Sequence, residues 1–237
     1  MPKIAYICRV MLIVLEGLDG AGKSTQVKMF REYLETVCPR LEYIHFPRYD
    51  APVYGALIGK FLRGGFGSIE HVHPQLVALL FAEDRHDAAP QIRRTLREGG
   101  TVLLDRYVYS NIAYQCAKLP STDEAEELRE WINNTEYGAF GLPRPDLNIF
   151  LDVPIGFVEK SLAAQRGGSD RNYLQGRQDI HEADIAFQRR VRDMYRRQAS
   201  LDPHFITVDC SDAEGGMLPP EDIFLKIKTV YESYPKD

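Results

Sequence analysis

No stretch of this 237-residue sequence is apolar for long enough to cross a bilayer as a helix, which takes roughly 20 residues. Neither sign of charge dominates. The 29 lysines and arginines stand against 34 acidic residues, a net charge of −5, which argues against a general nucleic-acid binder. Phosphate handling, if any, must therefore rest on local arginines. Cysteine is scarce and scattered: Cys8, Cys38, Cys116 and Cys210 form no C-x-x-C pair and no Cys/His metal spacing. Buried free thiols in a reducing, cytoplasmic setting are the expectation. The six histidines form no cluster, there is no internal repeat, and no Asn-Lys-x-Asp element is present to read guanine.

What is present is concentrated near the amino end. Gly17-Leu18-Asp19-Gly20-Ala21-Gly22-Lys23-Ser24 fits G-x-x-x-x-G-K-[ST], with Thr25 next. Leu12 to Leu15 before it read as a buried strand, and Thr25 to Glu35 after it as a helix. A glycine-rich turn between strand and helix points backbone N–H groups into a nest that binds phosphates. Lys23 can then reach the β- and γ-phosphates of ATP, and the Ser24 hydroxyl can ligate Mg²⁺. A signal peptide cleaved within the first stretch would destroy this loop, so that reading is rejected. Residues 1–10 are read as an N-terminal extension and residues 11–237 as one domain.

Strands and helices alternate along the rest. Strands are expected at Leu41–Phe46, Thr101–Leu104, Leu147–Leu151 and Phe205–Val208. Helices are expected near Val53–Arg63, Pro74–Arg97, Ser110–Lys118, Thr122–Gly138, Ala183–Ala199 and Glu221–Tyr234, with another beginning at Pro154. Apolar strands without alternation, each followed by a helix, indicate an α/β fold with a parallel sheet covered on both faces.

Several residues collect at the carboxyl ends of these strands, where ligands bind in such sheets. Asp105 ends the third strand and can hold Mg²⁺ beside Ser24, with Arg106 next to it as a phosphate clamp. Phe46-Pro47-Arg48-Tyr49 ends the second strand, offering two rings and a guanidinium. Phe81 and Arg85 share a helix face. They suit base stacking and edge reading, although spacing alone favours a core Phe81 and a surface ion pair for Arg85. A polar loop carries Arg166, Arg171 and Arg177 among glycines, the kind of lid that delivers charge to a phosphoryl transfer. Asp152 suits either the site or the following helix N-terminus. The arginine-rich helix around Arg189–Arg197 reads as a solvated face with i,i+4 partners.

Taken in order, these elements resemble the thymidylate kinase (dTMP kinase) family. The matching residues are Glu16 to Gln26, Phe46-Pro47-Arg48, Leu80 to Arg85, Asp105-Arg106-Tyr107 with Ser110-Asn111 and Tyr114-Gln115, Leu151 to Pro154, and Asp179 to Glu182 with Arg190, Arg192 and Tyr195 behind. The resemblance implies a P-loop kinase core with a five-stranded parallel sheet, helices on both faces and a mobile lid over about residues 166–182. It implies transfer of the γ-phosphate of ATP, with Mg²⁺, onto dTMP in the cytoplasm, by a homodimer.

Roles follow from the same resemblance. Phe81 would stack on thymine and Arg85 would bond the base edge. Tyr114 would sit against the deoxyribose and Asp19 would meet the 3′-hydroxyl or orient an arginine. Arg48 and Arg106 would hold the dTMP phosphate. Phe46, Pro47, Tyr49, Ser110, Asn111, Gln115 and Glu182 would complete the pocket. Lys23, Arg106, Arg166, Arg171 and Arg177 would supply catalytic charge, Gly20 marking the variant whose arginines lie in the lid. Two rivals remain: a deoxynucleoside kinase, which would need a carboxylate base near a hydroxyl, and a nucleotide-binding switch with no acceptor.

Overall fold

The structure is a computed structural model that describes residues 9–68, 71–164, 181 and 184–235. Five strands form one sheet: β1 (Leu12–Gly17), β2 (Leu41–His45), β3 (Thr101–Asp105), β4 (Leu147–Asp152) and β5 (Phe205–Asp209). All pairings are parallel and the order is β2-β3-β1-β4-β5. Every residue of β1, β3 and β4 is buried. These three central strands are covered on both faces, which is why they read as continuous apolar runs.

Among the described residues eight α-helices surround the sheet: α1 (Lys23–Val37), α2 (Tyr54–Leu62), α3 (Pro74–Arg97), α4 (Val108–Cys116), α5 (Thr122–Asn133), α6 (Ile155–Ala163), α7 (Ile185–Leu201) and α8 (Pro220–Ser233). Successive strand residues point to opposite faces, and the two cores divide accordingly. Ile13, Leu15 and Leu103 pack with α1, α7 and α8 through Phe30, Tyr195 and Ile227. Leu12, Val14 and Leu104 pack with α3, α4 and α5 through Ile92, Ile112 and Leu128. The change of direction after β1 opens a crevice at the carboxyl ends of β1 and β3, where doubly wound sheets bind ligands.

Three expectations need correction. The helix expected over Thr122–Gly138 is two elements, because α5 ends at Asn133 and a π-helical turn runs from Asn134 to Ala139. The arginines of α7 do not rely on i,i+4 partners. Arg192 and Arg196 both bond the Asp152 carboxylate at the end of β4, and Arg197 bonds Glu126 of α5. Asp152 is thereby taken by α7 instead of serving the site or the N-terminus of α6. Cys38, Cys116 and Cys210 are buried free thiols, and burial pushes Cys116 and Cys210 each up to about 12. Arg9, within the expected extension, donates to the carbonyls of Tyr231 and Tyr234 at 3.3 and 2.7 Å, satisfying acceptors at the end of α8.

Phe150 on β4 is the hinge between sheet and α7. It is fully buried, stacks on Tyr195 at 4.8 Å and meets Phe205 edge-on at 6.2 Å. Phe150→Ala should lower unfolding stability by about 3–5 kcal/mol, read as a shift in the urea midpoint with unchanged slope. A loss under about 1 kcal/mol would mean that this junction repacks freely.

Candidate active site

The glycine-rich turn folds as its spacing requires. Gly20 and Gly22 take φ of 72° and 71°, the left-handed region that costs side-chain-bearing residues most. A Cβ on Gly20 would also lie 3.1 Å from Leu162 Cδ2 of α6. Gly22 leads straight into α1, so the turn ends at a helix N-terminus with its free N–H groups. The Ser24 side chain there is exposed, whereas Lys23 is buried.

Lys23 folds back across the turn to pair with Asp105 at the end of β3, and His45 Nδ1 lies 2.9 Å from the other Asp105 oxygen. Burial by itself would raise the Asp105 pKa, but Lys23 and His45 outweigh it and hold the carboxyl far below the usual carboxylate range. Burial also lowers the Lys23 pKa against the opposing pull of Asp105.

Arg106 is the centre of the pocket. Its φ is 69°, a left-handed conformation that costs a non-glycine residue about 1–3 kcal/mol. Its Nη2 donates to Asp19 Oδ1 at 2.7 Å, and its Nη1 donates to Ser110 Oγ at 3.2 Å and Tyr195 Oη at 3.4 Å. Tyr114 donates from its hydroxyl to Asp19 Oδ2 at 2.8 Å and accepts from the Asp19 N–H at 3.1 Å. Asp19, Arg106 and Tyr114 thus form one closed set linking the P-loop to α4.

Beneath it lies Glu16, a carboxylate with no exposed surface. Its Oε1 accepts from the backbone N–H of Tyr107 (2.9 Å) and Ser110 (3.1 Å), and its Oε2 from the hydroxyls of Ser110 (2.5 Å) and Tyr195 (3.0 Å). Burial raises the Glu16 pKa, opposed by Ser110, Arg106 and the other donors. The first two bonds occupy N–H groups at the start of α4, acting as a cap supplied from β1. They fix the backbone on the carboxyl side of Arg106, and the hydroxyls pass the interaction on to its guanidinium.

A second buried ion pair shapes the far wall. Arg85 bonds Glu136 with Nε and Nη2 at 2.5 and 2.8 Å, a fork-to-carboxylate geometry. Asn111 Nδ2 donates to Glu136 Oε1 and to the Ala78 carbonyl, both at 2.9 Å. Two acceptors on that side fix the orientation of the amide. Its Oδ1 is then buried without a hydrogen-bond partner among the described residues. The surface ion pair that spacing favoured for Arg85 is therefore replaced by a core one, because the π-helical turn carries Glu136 inward.

Most residues expected at the substrate site converge on one pocket. Asp19, Arg106 and Tyr114 line its P-loop side, while Phe46, Pro47 and Tyr49 come from the end of β2. Phe81 and Arg85 contribute from α3, and Ser110, Asn111 and Gln115 from α4, with Leu62 and His181 added. The Phe46–Pro47 peptide is cis. Arg48 is placed at the edge, outside the lining. Its Nε donates to Asp84 Oδ1 at 2.9 Å and its Nη2 to Asp87 Oδ2 at 2.6 Å. Arg166, Arg171, Arg177 and Glu182 lie outside the described residues.

Glu136 escapes the sequence reading, and Glu16, His181 and Tyr195, which the family match includes, carry no assigned role there. Glu16 left one signal, an acid within an otherwise apolar strand. His181 contacts the rings of Phe61, Tyr114 and Phe187, and burial with the nearby Lys118 and Arg106 charges lowers its pKa well below the usual value.

The sequence pattern described as Thymidylate kinase matches residues 15–215. Thymidylate kinase from Mycobacterium tuberculosis is 33% identical over 190 residues, covering 80% of this chain and 86% of that protein. Thymidylate kinase from Caenorhabditis elegans is 34% identical over 177 residues, 70% and 72% of the two chains. The solved structure of thymidylate kinase from Candida albicans superposes with a TM-score of 0.68 at 28% identity, over 95% of this chain and 92% of that one. The chain belongs to the thymidylate kinase family.

Glu16→Gln should cost about 1.5–3 kcal/mol of stability, the loss of a charged acceptor with buried donors, and Tyr195→Phe about 1 kcal/mol. In a double-mutant cycle the two should be sub-additive. Urea titration checks this, and strictly additive costs would show that the two groups do not act as one network.

Proposed function

We propose that this member of the thymidylate kinase family phosphorylates dTMP to dTDP, with ATP as the phosphate donor, a step toward dTTP. The observation that carries the reading is the shared position of Arg106. It stands between the P-loop and a pocket lined by the Phe81 ring and by Asn111, whose Oδ1 is buried without a partner among the described residues. A thymine ring stacked on Phe81 has an N3–H for that acceptor and carbonyls for an arginine edge such as Arg85. Its deoxyribose lies against Tyr114, with Asp19 in reach of the 3′-hydroxyl. Its phosphate meets Arg106, and Arg48 is the second phosphate contact, held ready by Asp84 and Asp87.

The reaction is direct, in-line transfer. ATP lies on the N–H groups of residues 17–25, with Lys23 on its β- and γ-phosphates. The acceptor oxygen is already ionised at neutral pH, so the site needs no strong general base. Lys23, Arg106 and at least one of Arg166, Arg171 and Arg177 neutralise charge spread over the moving phosphoryl group. Glu182 is assigned to the pocket on family resemblance.

Mg²⁺ suits the donors present. The described residues contain no group of three or more His, Cys, Asp or Glu that could hold a metal. Ser24 nevertheless offers an exposed hydroxyl, and Asp105 a carboxylate across the same crevice. One hydroxyl, one carboxylate, phosphate oxygens and water make up the usual Mg²⁺ set in such sites. Bound there, the ion would draw charge from the phosphates.

The chain acts in the cytoplasm as a homodimer. Leu57 of α2, Leu76 of α3 and Phe66 between them are large and exposed, at 40%, 64% and 44%, which supports a covered face in the assembly. Sedimentation should then report a dimer that Leu76→Glu dissociates; a monomeric wild type would remove this part of the reading.

A coupled ADP-release assay with ATP and Mg²⁺ tests the activity. Turnover is expected to be strong with dTMP, weaker with dUMP and absent with thymidine. Arg106→Ala should lower kcat/KM for dTMP by about 10²-fold or more. Turnover with thymidine but not dTMP would move the chain to the nucleoside kinases.

A further inference from the structure

Where β4 and β5 enter the sheet there is a cavity of about 540 Å³, within the range of small-ligand sites. None of its lining is used by phosphoryl transfer. It is polar and aromatic. Asn148 and Gln198 line it with amide side chains on residues only 2% exposed. Gln198 Oε1 has no hydrogen-bond partner among the described residues. A buried acceptor without a partner is costly, and the two amides together offer donors and acceptors suited to a ligand with a planar, hydrogen-bonding edge.

The rim supplies charge and ring faces. Arg144 lies with its guanidinium carbon 4.2 Å from the Tyr137 ring centroid and pairs with no carboxylate among the described residues. A guanidinium left open in this way is a fork for a phosphate. Tyr137 and Tyr109 add aromatic faces.

The acids that share the lining limit the ligand. Asp146 accepts the Leu12 N–H at 2.7 Å, and Asp202 accepts the Tyr109 hydroxyl at 2.6 Å and the His204 N–H at 2.9 Å. Two carboxylates beside the phosphate position disfavour a polyphosphate chain. One phosphate on one planar, edge-bonding ring fits what remains.

We propose that this cavity is a second nucleotide site, taking a nucleoside monophosphate with its base against Asn148 and Gln198 and its phosphate on Arg144. The site is separate from the acceptor pocket, and the inference does not rest on the identity of the phosphoryl acceptor. Calorimetry on the full chain tests it, with the acceptor pocket and the P-loop filled together by a bisubstrate analogue that joins thymidine to adenosine through a polyphosphate chain. AMP, GMP, CMP and UMP are titrated in turn, with the matching nucleosides and inorganic phosphate as controls.

At least one monophosphate should bind as one further equivalent. Arg144→Glu and Gln198→Leu should each weaken it about tenfold or more, and the nucleoside and free phosphate should each bind at least about tenfold more weakly than the nucleotide. Arg144 is exposed, so its variant should keep the wild-type melting profile. No further equivalent with any of the four, or binding that survives both substitutions, would overturn the site. Phosphate binding as tightly as the nucleotide would overturn its assigned chemistry.

Discussion

Glu16 is the constraint on which the rest of the site depends. A carboxylate with no exposed surface is tolerated only if its lone pairs are filled, and four donors fill them here. Two of those donors are backbone N–H groups at the start of α4, just after β3. Filling Glu16 therefore fixes the course of the chain just after Arg106 and helps hold that residue at a positive φ. The other two are hydroxyls from α4 and α7 that also accept from Arg106. One carboxylate at the end of β1 thus ties together the central strand, the arginine turn, α4 and α7. Asp19, three residues later, takes the other side of the same guanidinium. The pocket is shaped from beneath by Glu16 and from the P-loop side by Asp19.

The legible parts of the sequence were those whose signal is local. β1, β3 and β4 showed themselves as apolar runs because both faces of the sheet bury most of their side chains against apolar helices. The P-loop was legible because strand, glycines and helix are contiguous. The residues converging on the pocket from β2, α3 and α4 were legible through family resemblance. What stayed hidden depended on distant partners. Glu136 is one acid among several in and after α5, and only the π-helical turn brings it to Arg85 and Asn111. The arginines of α7 looked solvated because Asp152 and Glu126, their partners, are remote in sequence. Spacing reports neighbours on one helix; it does not report which element packs above.

Every cation placed at the described site has its own carboxylate: Lys23 with Asp105, Arg106 with Asp19, Arg85 with Glu136 and Arg48 with Asp84. Isolated buried cations would be several kcal/mol too costly, so a site built to meet phosphates must hold its charges against internal acids first. The pairs then divide by purpose. Arg85 and Glu136 are locked on both prongs of the fork and buried together, and their pairing sets a wall. Arg106 keeps hydroxyl partners besides its acid, so an arriving phosphate adds to a set already pointed at the pocket. Lys23 is the exception in kind. A flexible ammonium on one carboxylate can be drawn toward a phosphate, but doing so leaves Asp105 buried and anionic beside His45 and Tyr43. On the proposed reading, that carboxylate then offers an acceptor to a cation accompanying the nucleotide. On the proposed reading, the Lys23–Asp105 pair makes binding of a bare nucleotide costly and favours one that carries its own positive charge.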